Sequence, residues 1–238
     1  MEVLTQTVTV TLEDTDSAGK LKLSALLHYV QEVSGQHSAK LGFDWDTLAQ
    51  KGLFWAVLRH RVEITRLPKS GEQLQLRTWP MPTTRTAYPR AVQALDGQGN
   101  PLFRVVSLWV LMDQQSRAMI LPGKSGVEVP GLLLGCESAA PGSLGPVQAQ
   151  DTAMWQVSRE DLDVNGHVNN AKYLDRVFPE LTTDPKALTV CYLSEVRLGQ
   201  DIRLDYLRQA DFWAVDGCRK RTDVPEKTER VFAAKLEF

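Results

Sequence analysis

Two segments of this 238-residue chain align with each other without a gap. The first is DTDSAGKLKLSALLHYV, residues 14–30, and the second is DLDVNGHVNNAKYLDRV, residues 161–177. The aligned residues are identical at Asp14 and Asp161, Asp16 and Asp163, Gly19 and Gly166, Leu27 and Leu174, and Val30 and Val177. An Asp–Gly turn that precedes a helix therefore occurs twice, which predicts a duplicated half-domain rather than one continuous domain.

The segments around the two copies follow the same order. An alternating segment rich in Val and Thr precedes the first copy, TAMWQVS precedes the second, and both predict strands. Apolar residues at helical spacing predict a long helix from about Leu23 to Leu41 with Gly42 as its stop, and a shorter helix that stops at Pro179. GEQLQL at 71–76 also matches GQDIRL at 199–204. Further strand-like segments cover residues 53–64, 72–81, 85–95, 102–112, 118–121, 187–198, 201–209, 211–220 and 230–238.

The segment between the two copies has a different composition. Gly, Pro and Ser dominate residues 121–150, and no hydrophobic period survives there. Such a composition is typical of a linker. The sequence therefore predicts an N-terminal domain of residues 1–122, a linker of residues 123–148 and a C-terminal domain of residues 149–238.

Charge and composition exclude several classes of function. Lys and Arg number 27 and Asp and Glu number 29, so the formal net charge is −2, which gives no global preference for nucleic acid or an anionic membrane. The N-terminal segment lacks the basic and apolar regions of a secretion signal, and no apolar run approaches the roughly 20 residues that span a bilayer. We therefore expect a cytoplasmic protein without membrane insertion. The cysteines (Cys136, Cys191 and Cys218) and the four histidines are widely spread, so we expect neither a disulfide framework nor a metal site.

The two copies differ at polar positions. Ala18 stands where the second copy has Asn165, and Lys20 where it has His167. A histidine can act as a base or nucleophile near pH 7, and backbone N–H groups at the start of a helix can stabilise an oxyanion. If the chain is extended there, Asp163, Asn165 and His167 lie on one side. The alternative is structural: the aspartates cap turns, Asn169 or Asn170 caps the helix, and His167 is a hydrogen-bonded turn residue.

The second copy closely resembles a family signature. DLDVNGHVNNAKYLDRV is similar to the motif of acyl-acyl carrier protein (ACP) thioesterases, the plastid and bacterial enzymes that end fatty-acid synthesis. DTDSAGKLKLSALLHYVQEVSGQHSAKLG, WAVLRHRVEITRLPKSGEQLQLRTWP and SLWVLMDQQSRAMILP resemble the N-terminal half of that family. The resemblance implies an α+β fold of two tandem hotdog domains, each an antiparallel sheet wrapped around a central helix. It also implies hydrolysis of fatty acyl-ACP to free fatty acid and ACP, without a metal or an organic cofactor.

The resemblance also implies a catalytic set in the C-terminal hotdog. It carries this set onto Asp163, Asn165 and His167, with Glu195 on a following strand as the fourth member, and assigns the acyl pocket to the N-terminal hotdog. A salt bridge with Arg197 on the surface is the alternative for Glu195. Plant members commonly have Cys directly after this Glu, whereas this chain has Val196, which weakens a covalent thiol mechanism.

The expected partner is an ACP that carries a fatty acyl chain. The basic runs 59–61 and 218–221 are interpreted as solvated faces or protected strand edges, with a docking surface for the acidic carrier as the alternative. The chain is expected to be a monomer or a homodimer, and no nucleic-acid partner is expected. Two other functions stay open: a hotdog acyl-CoA thioesterase and a non-catalytic acyl-binding protein. Hotdog dehydratases also place a His at the start of a helix, but the HVNN pattern is more similar to thioesterases.

Overall fold

The structure is a computed structural model that describes residues 3–163, 165–179, 181–221, 224 and 226–238. The chain forms two compact units, Met1–Pro141 and Gly142–Phe238. The division falls inside the segment 123–148 that the sequence predicts as a linker. The domain limits at residues 122 and 149 stay predictions.

The N-terminal unit contains an antiparallel sheet and one long helix. Strand β1 pairs with β3, β3 with β4, β4 with β5 and β5 with β2, and the short β6 also pairs with β5. The elements of this unit are β1 (Leu4–Thr9), α1 (Leu23–Lys40), α2 (Trp45–Ala49), β2 (Leu53–Ile64), β3 (Gln73–Pro80), β4 (Tyr88–Leu95), β5 (Pro101–Asp113), β6 (Met119–Ile120) and α3 (Pro122–Ser125).

The long helix α1 packs on the sheet and forms the centre of this unit. Its apolar residues recur every three or four positions, and Leu26, Leu27 and Val30 are fully buried. The helix contacts β3 most extensively, and also β1 and β4. It ends where Gly42 adopts a φ of 79° and donates its N–H to the carbonyl of Ala39. The helix and its stop lie where the sequence predicts them.

The C-terminal unit repeats the same strand order. Strand β7 pairs with β9, β9 with β10, β10 with β11 and β11 with β8, all antiparallel. A single 3₁₀ turn at Arg159–Asp161 and the helix α4 follow β7. The elements are β7 (Asp151–Gln156), α4 (Lys172–Val177), β8 (Ala187–Tyr192), β9 (Asp201–Arg208), β10 (Phe212–Lys220) and β11 (Thr228–Glu237).

The duplication inferred from the sequence extends to the pairing register. Leu4 pairs with Thr78 between β1 and β3, and the aligned pair between β7 and β9 is Asp151 and Tyr206. Backbone hydrogen bonds repeat as well, since the N–H groups of Asp16 and Asp163 donate to the carbonyls of Lys20 and His167, both at 2.8 Å. Two segments of low overall identity thus form the same framework, which confirms the duplicated half-domain.

Helix α4 differs most from its counterpart, because it has six residues where α1 has eighteen. Its cap is Ala171, so the expectation that Asn169 or Asn170 is the cap residue is wrong by one or two positions. Asn169 still contributes, since its side-chain oxygen accepts the N–H of Ala171 at 2.9 Å. The ring of Tyr173, on α4, packs against Phe232 of β11 with 4.6 Å between ring centroids.

The strand predicted at residues 187–198 is shorter in the structure. Strand β8 ends at Tyr192, and Glu195 lies in the loop between β8 and β9 rather than on a strand. The physical reason is visible at Val231, whose carbonyl accepts N–H bonds from both Leu193 and Ser194. Two successive N–H groups on one carbonyl take the chain out of the regular ladder.

Candidate active site

The polar segment in front of α4 is a tight turn that is organised by Asp163. One carboxylate oxygen of Asp163 accepts the N–H groups of Asn165 at 2.8 Å and His167 at 3.2 Å. The backbone closes the turn, because the N–H of Asp163 donates to the carbonyl of His167 at 2.8 Å. Gly166 has a φ of 75°, a left-handed conformation that favours glycine. Val164 lies outside the described residues.

The N-terminal unit contains the same turn. One carboxylate oxygen of Asp16 accepts the N–H groups of Ala18 and Lys20, both at 2.9 Å, and Gly19 has a φ of 72°. The N–H of Asp16 donates to the carbonyl of Lys20 at 2.8 Å. The shared aspartate and glycine therefore form the same turn in both units.

Asp161 is the buried anchor of the C-terminal turn. Its side chain is 1% exposed, and it accepts hydrogen bonds from the N–H and hydroxyl of Ser158, both at 2.9 Å, and from Arg176 at 2.7 Å. Burial acts to raise the pKa of Asp161, but these hydrogen bonds outweigh it and hold the pKa below its usual value. Asp14 fills the same place in the N-terminal unit, where its carboxylate accepts the hydroxyl of Tyr29 at 2.6 Å.

His167 and Glu195 meet across two loops of the C-terminal unit. The imidazole Nε2 lies 3.1 Å from a carboxylate oxygen of Glu195, and the two side chains are 18% and 38% exposed. The loops are held together by the backbone, because the N–H of Val168 donates to the carbonyl of Val196 at 2.8 Å. The alternative salt bridge with Arg197 also exists, at 3.4 Å from the same carboxylate oxygen of Glu195. The pair is thus partly open to solvent and can hold or move a proton.

Asn165 lies on the exposed side of the turn. Its side-chain nitrogen is 3.5 Å from the second carboxylate oxygen of Asp163, a long contact that leaves the amide available to a ligand. The structure therefore brings Asp163 together with Asn165, and His167 together with Glu195. The expectation of free N–H groups at the start of the helix is wrong at four positions. Protein oxygens already accept the N–H groups of Val168, Asn169, Ala171 and Lys172.

Arg219, on β10, holds the loop that carries Glu195. Its guanidinium donates to the carbonyl of Glu195 at 2.7 Å, to the side-chain oxygen of Gln200 at 2.8 Å and to the hydroxyl of Ser194 at 2.9 Å. A fourth bond, to Glu229 at 2.7 Å, fixes the guanidinium from the other side. Arg219 belongs to the basic run 218–221, so the interpretation of that run as a solvated face is wrong at this residue, which is 16% exposed. No local sequence signal marks this role.

The loop of Glu195 also has a counterpart in the N-terminal unit. The N–H of Leu21 donates to the carbonyl of Pro68 at 2.8 Å, as the N–H of Val168 does to the carbonyl of Val196. Leu67 therefore occupies the position of Glu195, as Lys20 occupies that of His167. When the alignment of GEQLQL (residues 71–76) with GQDIRL (residues 199–204) is extended four residues towards the N-terminus, Leu67 aligns with Glu195. The sequence itself therefore contains this difference between the two units.

Two of the cysteines, Cys191 and Cys218, lie on strands β8 and β10 rather than on the turn of Asp163. Cys191 and Cys218 are both buried, and burial raises the pKa of the Cys218 thiol. Val196, which follows Glu195, is fully buried. Within residues 3–238, apart from the five positions without a description, no group of three or more His, Cys, Asp or Glu is placed to hold a metal ion. In the same residues, no helix is long and apolar enough to cross a membrane.

Comparison with known proteins places the chain in a family. The model of the acyl-ACP thioesterase N-terminal domain matches residues 2–121, and that of the acyl-ACP thioesterase C-terminal domain matches residues 145–229. The palmitoyl-acyl carrier protein thioesterase of Gossypium hirsutum is 26% identical over 64% of this chain and 40% of its own length. The oleoyl-acyl carrier protein thioesterase of Coriandrum sativum is 26% identical over 87% of this chain and 59% of its own length. The chain thus spans about half the length of the curated relatives it matches.

Two solved structures show the fold. An acyl-ACP thioesterase from Bacteroides thetaiotaomicron superposes with a TM-score of 0.88 at 20% identity, covering 99% of this chain and 97% of that one. The 12:0-ACP thioesterase from Umbellularia californica superposes with a TM-score of 0.77 at 21% identity, covering 99% and 96%. These likenesses confirm the α+β tandem hotdog fold that the sequence predicts. Since the two family models together match most of its length, the chain belongs to the acyl-ACP thioesterase family.

Proposed function

We propose that this protein hydrolyses the thioester of fatty acyl-ACP to a free fatty acid and ACP, in fatty-acid biosynthesis. The observation that carries the proposal is the contact of 3.1 Å between His167 Nε2 and the Glu195 carboxylate. The duplicated framework has Lys20 and Leu67 at the same two places in the N-terminal unit, so this pair is an addition to the framework. Membership of the family supports acyl-ACP as the substrate class.

The proposed reaction uses water as the nucleophile. The pair of His167 and Glu195 accepts a proton from water, and the oxygen of that water forms a bond with the thioester carbonyl carbon. The carboxylate stabilises the imidazolium that forms, as a neighbouring anion does in other acid–base sites. The C–S bond then breaks, and the pair returns its proton to the leaving thiolate. The products are a carboxylic acid and the thiol of the carrier.

The other two members of the set have supporting roles in this proposal. The Asn165 amide, exposed on the same turn as His167, donates a hydrogen bond to the carbonyl oxygen as it becomes negative. This amide takes the role that was expected of the helix start, because four N–H groups there, those of Val168, Asn169, Ala171 and Lys172, are already bonded. Asp163 fixes the turn that carries both side chains. The reaction needs no metal or organic cofactor, because a thioester is already an activated acyl group.

The proposal also covers the setting of the reaction. ACP carrying a fatty acyl chain is the partner, the cytoplasm is the compartment, and the protein acts as a monomer or homodimer. The N-terminal unit shapes the acyl pocket, and one methylene in such a pocket changes selectivity by only about 1–3 kcal/mol. No part of this setting requires nucleic acid or insertion into a membrane.

The test is a pair of matched substitutions. His167→Ala removes a member of the pair, and Lys20→Ala changes the aligned residue of the N-terminal turn. We expect His167→Ala to lower the rate of acyl-ACP hydrolysis by about 10²–10⁴-fold, the usual contribution of an acid–base group, while Lys20→Ala stays within about twofold. Assays with the same acyl chain on coenzyme A measure the carrier preference. A folded His167→Ala variant that retains activity within a few-fold would contradict the site assignment.

A further inference from the structure

One carboxylate oxygen of Glu195 contacts two nitrogen-bearing side chains. It lies 3.1 Å from His167 Nε2 and 3.4 Å from a guanidinium nitrogen of Arg197, and the second contact is a hydrogen bond that Arg197 donates. The proposed hydrolysis gives roles to His167 and Glu195 but none to Arg197. A positive charge nevertheless lies in direct contact with the carboxylate of the acid–base pair.

The backbone holds Arg197 opposite His167. The two residues form an isolated antiparallel bridge, and the N–H of Arg197 donates to the side-chain oxygen of Gln200 at 2.9 Å. The bond from the N–H of Val168 to the carbonyl of Val196 belongs to the same contact between the loops. These bonds use main-chain groups of Arg197, and its side chain is 62% exposed. The guanidinium can therefore be replaced while the loop keeps its place.

The N-terminal unit has the same bridge, with a lysine in the place of Arg197. Lys69 pairs with Lys20 as Arg197 pairs with His167, and the N–H of Lys69 also donates to a side chain three residues later, at 3.1 Å. Leu67 stands there at the position of the carboxylate. A cation on this loop is thus common to both units, but it lies beside an acid–base pair in one of them. Lys69 is therefore a matched control for Arg197.

A guanidinium at this place favours the proton-accepting form of the pair. Its charge keeps the Glu195 carboxylate ionised, and it repels a second positive charge on the neighbouring imidazole. The carboxylate by itself has the opposite effect on His167, because a nearby anion stabilises the imidazolium. Since an imidazolium cannot accept a proton from water, a pair without this cation would be inactive over more of the range below neutral pH.

The turn and helix α4 add two titratable groups around the pair. Asp163 accepts the N–H of His167 at 3.2 Å, so its negative charge also favours the imidazolium. Tyr173, on α4, interacts electrostatically with Asp163, and burial raises the pKa of Tyr173, so its hydroxyl stays neutral. The charge of Arg197 therefore opposes two carboxylates that both favour protonation of His167.

Strands β10 and β11 add one cation and one anion. Arg219, on β10, donates to the carbonyl of Glu195 at 2.7 Å rather than to its carboxylate. Its guanidinium is also paired at 2.7 Å with Glu229, on β11, which offsets its charge. Arg219 thus holds the loop, whereas Arg197 acts on the carboxylate itself.

We propose that Arg197 is a positioning residue that acts through Glu195 and keeps the pair of His167 and Glu195 in its proton-accepting form near neutral pH. Its consequence for catalysis rests on the proposed function, because it extends the pH range of acyl-ACP hydrolysis towards acid. The protonation of His167 can be measured without turnover. Because Arg197 is exposed, its effect is modest and is screened by salt.

The first measurement is an NMR titration of the His167 imidazole in the whole protein at low salt. The spectrum of His167→Ala assigns its signals among the four histidines. We expect Arg197→Gln to raise the midpoint by about 0.4–0.8 pH unit, as for unit charges roughly 4–8 Å apart in water. Arg197→Lys and Lys69→Gln should leave it within about 0.2 pH unit. An unchanged midpoint in Arg197→Gln refutes the proposal, whether or not the protein hydrolyses acyl-ACP.

Two further readouts separate an electrostatic role from a structural one. Salt at 1 M should remove most of the difference between the wild type and Arg197→Gln. The acidic limb of the kcat/KM profile for acyl-ACP should move upwards by the same amount in Arg197→Gln, while the rate at pH 8.5 and KM stay within about twofold. An equal loss of rate at every pH, or a raised KM with an unchanged titration, would overturn the proposal. A shifted titration in a protein that hydrolyses no acyl-ACP would contradict the proposed function alone.

Discussion

The duplicated turn allows one prediction to be tested against an internal control. Asp163→Ala and Asp16→Ala remove the same carboxylate from the two units. Each carboxylate accepts two backbone N–H groups, at 2.8 and 3.2 Å for Asp163 and at 2.9 Å twice for Asp16. One of the two bonds is exposed in each case, so the loss resembles the removal of a helix cap, about 1–2 kcal/mol of unfolding free energy. For a chain of this length, that change lowers the melting temperature by about 2–8 °C.

The two variants should differ in their rates of acyl-ACP hydrolysis. The C-terminal turn carries His167, and displacement of a catalytic group by about 1 Å costs on the order of 10²-fold in rate. We therefore expect Asp163→Ala to lower kcat for acyl-ACP hydrolysis by about 10- to 100-fold, and Asp16→Ala to leave it within about twofold. Asp163→Asn retains one acceptor oxygen and should recover part of the loss. Equal losses of activity in both alanine variants, measured below their melting temperatures, would refute the division between framework and chemistry.

Two further predictions concern the residues that support the site. Arg219→Met removes the donor to the Glu195 carbonyl at 2.7 Å, so kcat should fall about tenfold while KM stays nearly unchanged. A shifted pH–rate profile would distinguish altered positioning of Glu195 from a general loss of stability. Arg176→Met leaves the buried Asp161 carboxylate without its ion pair and should cost about 2–4 kcal/mol in urea unfolding at pH 7. Because hydrogen bonds hold the pKa of Asp161 below its usual value, its stabilising effect is present above about pH 4 and is lost as the pH falls further. Unfolding free energies between pH 2 and 7 check the sign, and a wild-type protein that gains stability on acidification would contradict it.

Much of the fold follows from local patterns in the sequence. Helix α1 and its stop at Gly42 were predictable because apolar spacing and a left-handed glycine are both local signals. Strand β2 covers residues 53–64, as its pattern predicts. The end of β8 was not predictable in this way, because the apolar pattern continues to residue 198 while the ladder ends at Tyr192. The end of β8 depends on the position of the Val231 carbonyl, and Val231 lies on β11, a strand far along the chain.

The site shows the same division between local and distant information. The turn of Asp163 and Gly166 is defined by bonds within five residues, so the sequence alone predicts it. The approach of Glu195 to His167 requires two loops to pair, and resemblance to a family was the one signal that linked them. Arg219 was missed because a single arginine on a strand looks the same whether it faces solvent or holds a loop.

The comparison of the two units gives a physical reason for where chemistry can arise in this framework. The backbone bonds of the turn and of the facing loop are the same in both units, within a few tenths of an ångström. They use main-chain groups and the Asp and Gly that both units share, so the side chains at three other places carry no part of the turn. These places hold Ala18, Lys20 and Leu67 in one unit and Asn165, His167 and Glu195 in the other. Substitution there changes chemistry without disturbing the backbone, which is why a duplicated turn can retain its shape in both units while a histidine–carboxylate pair forms in one of them.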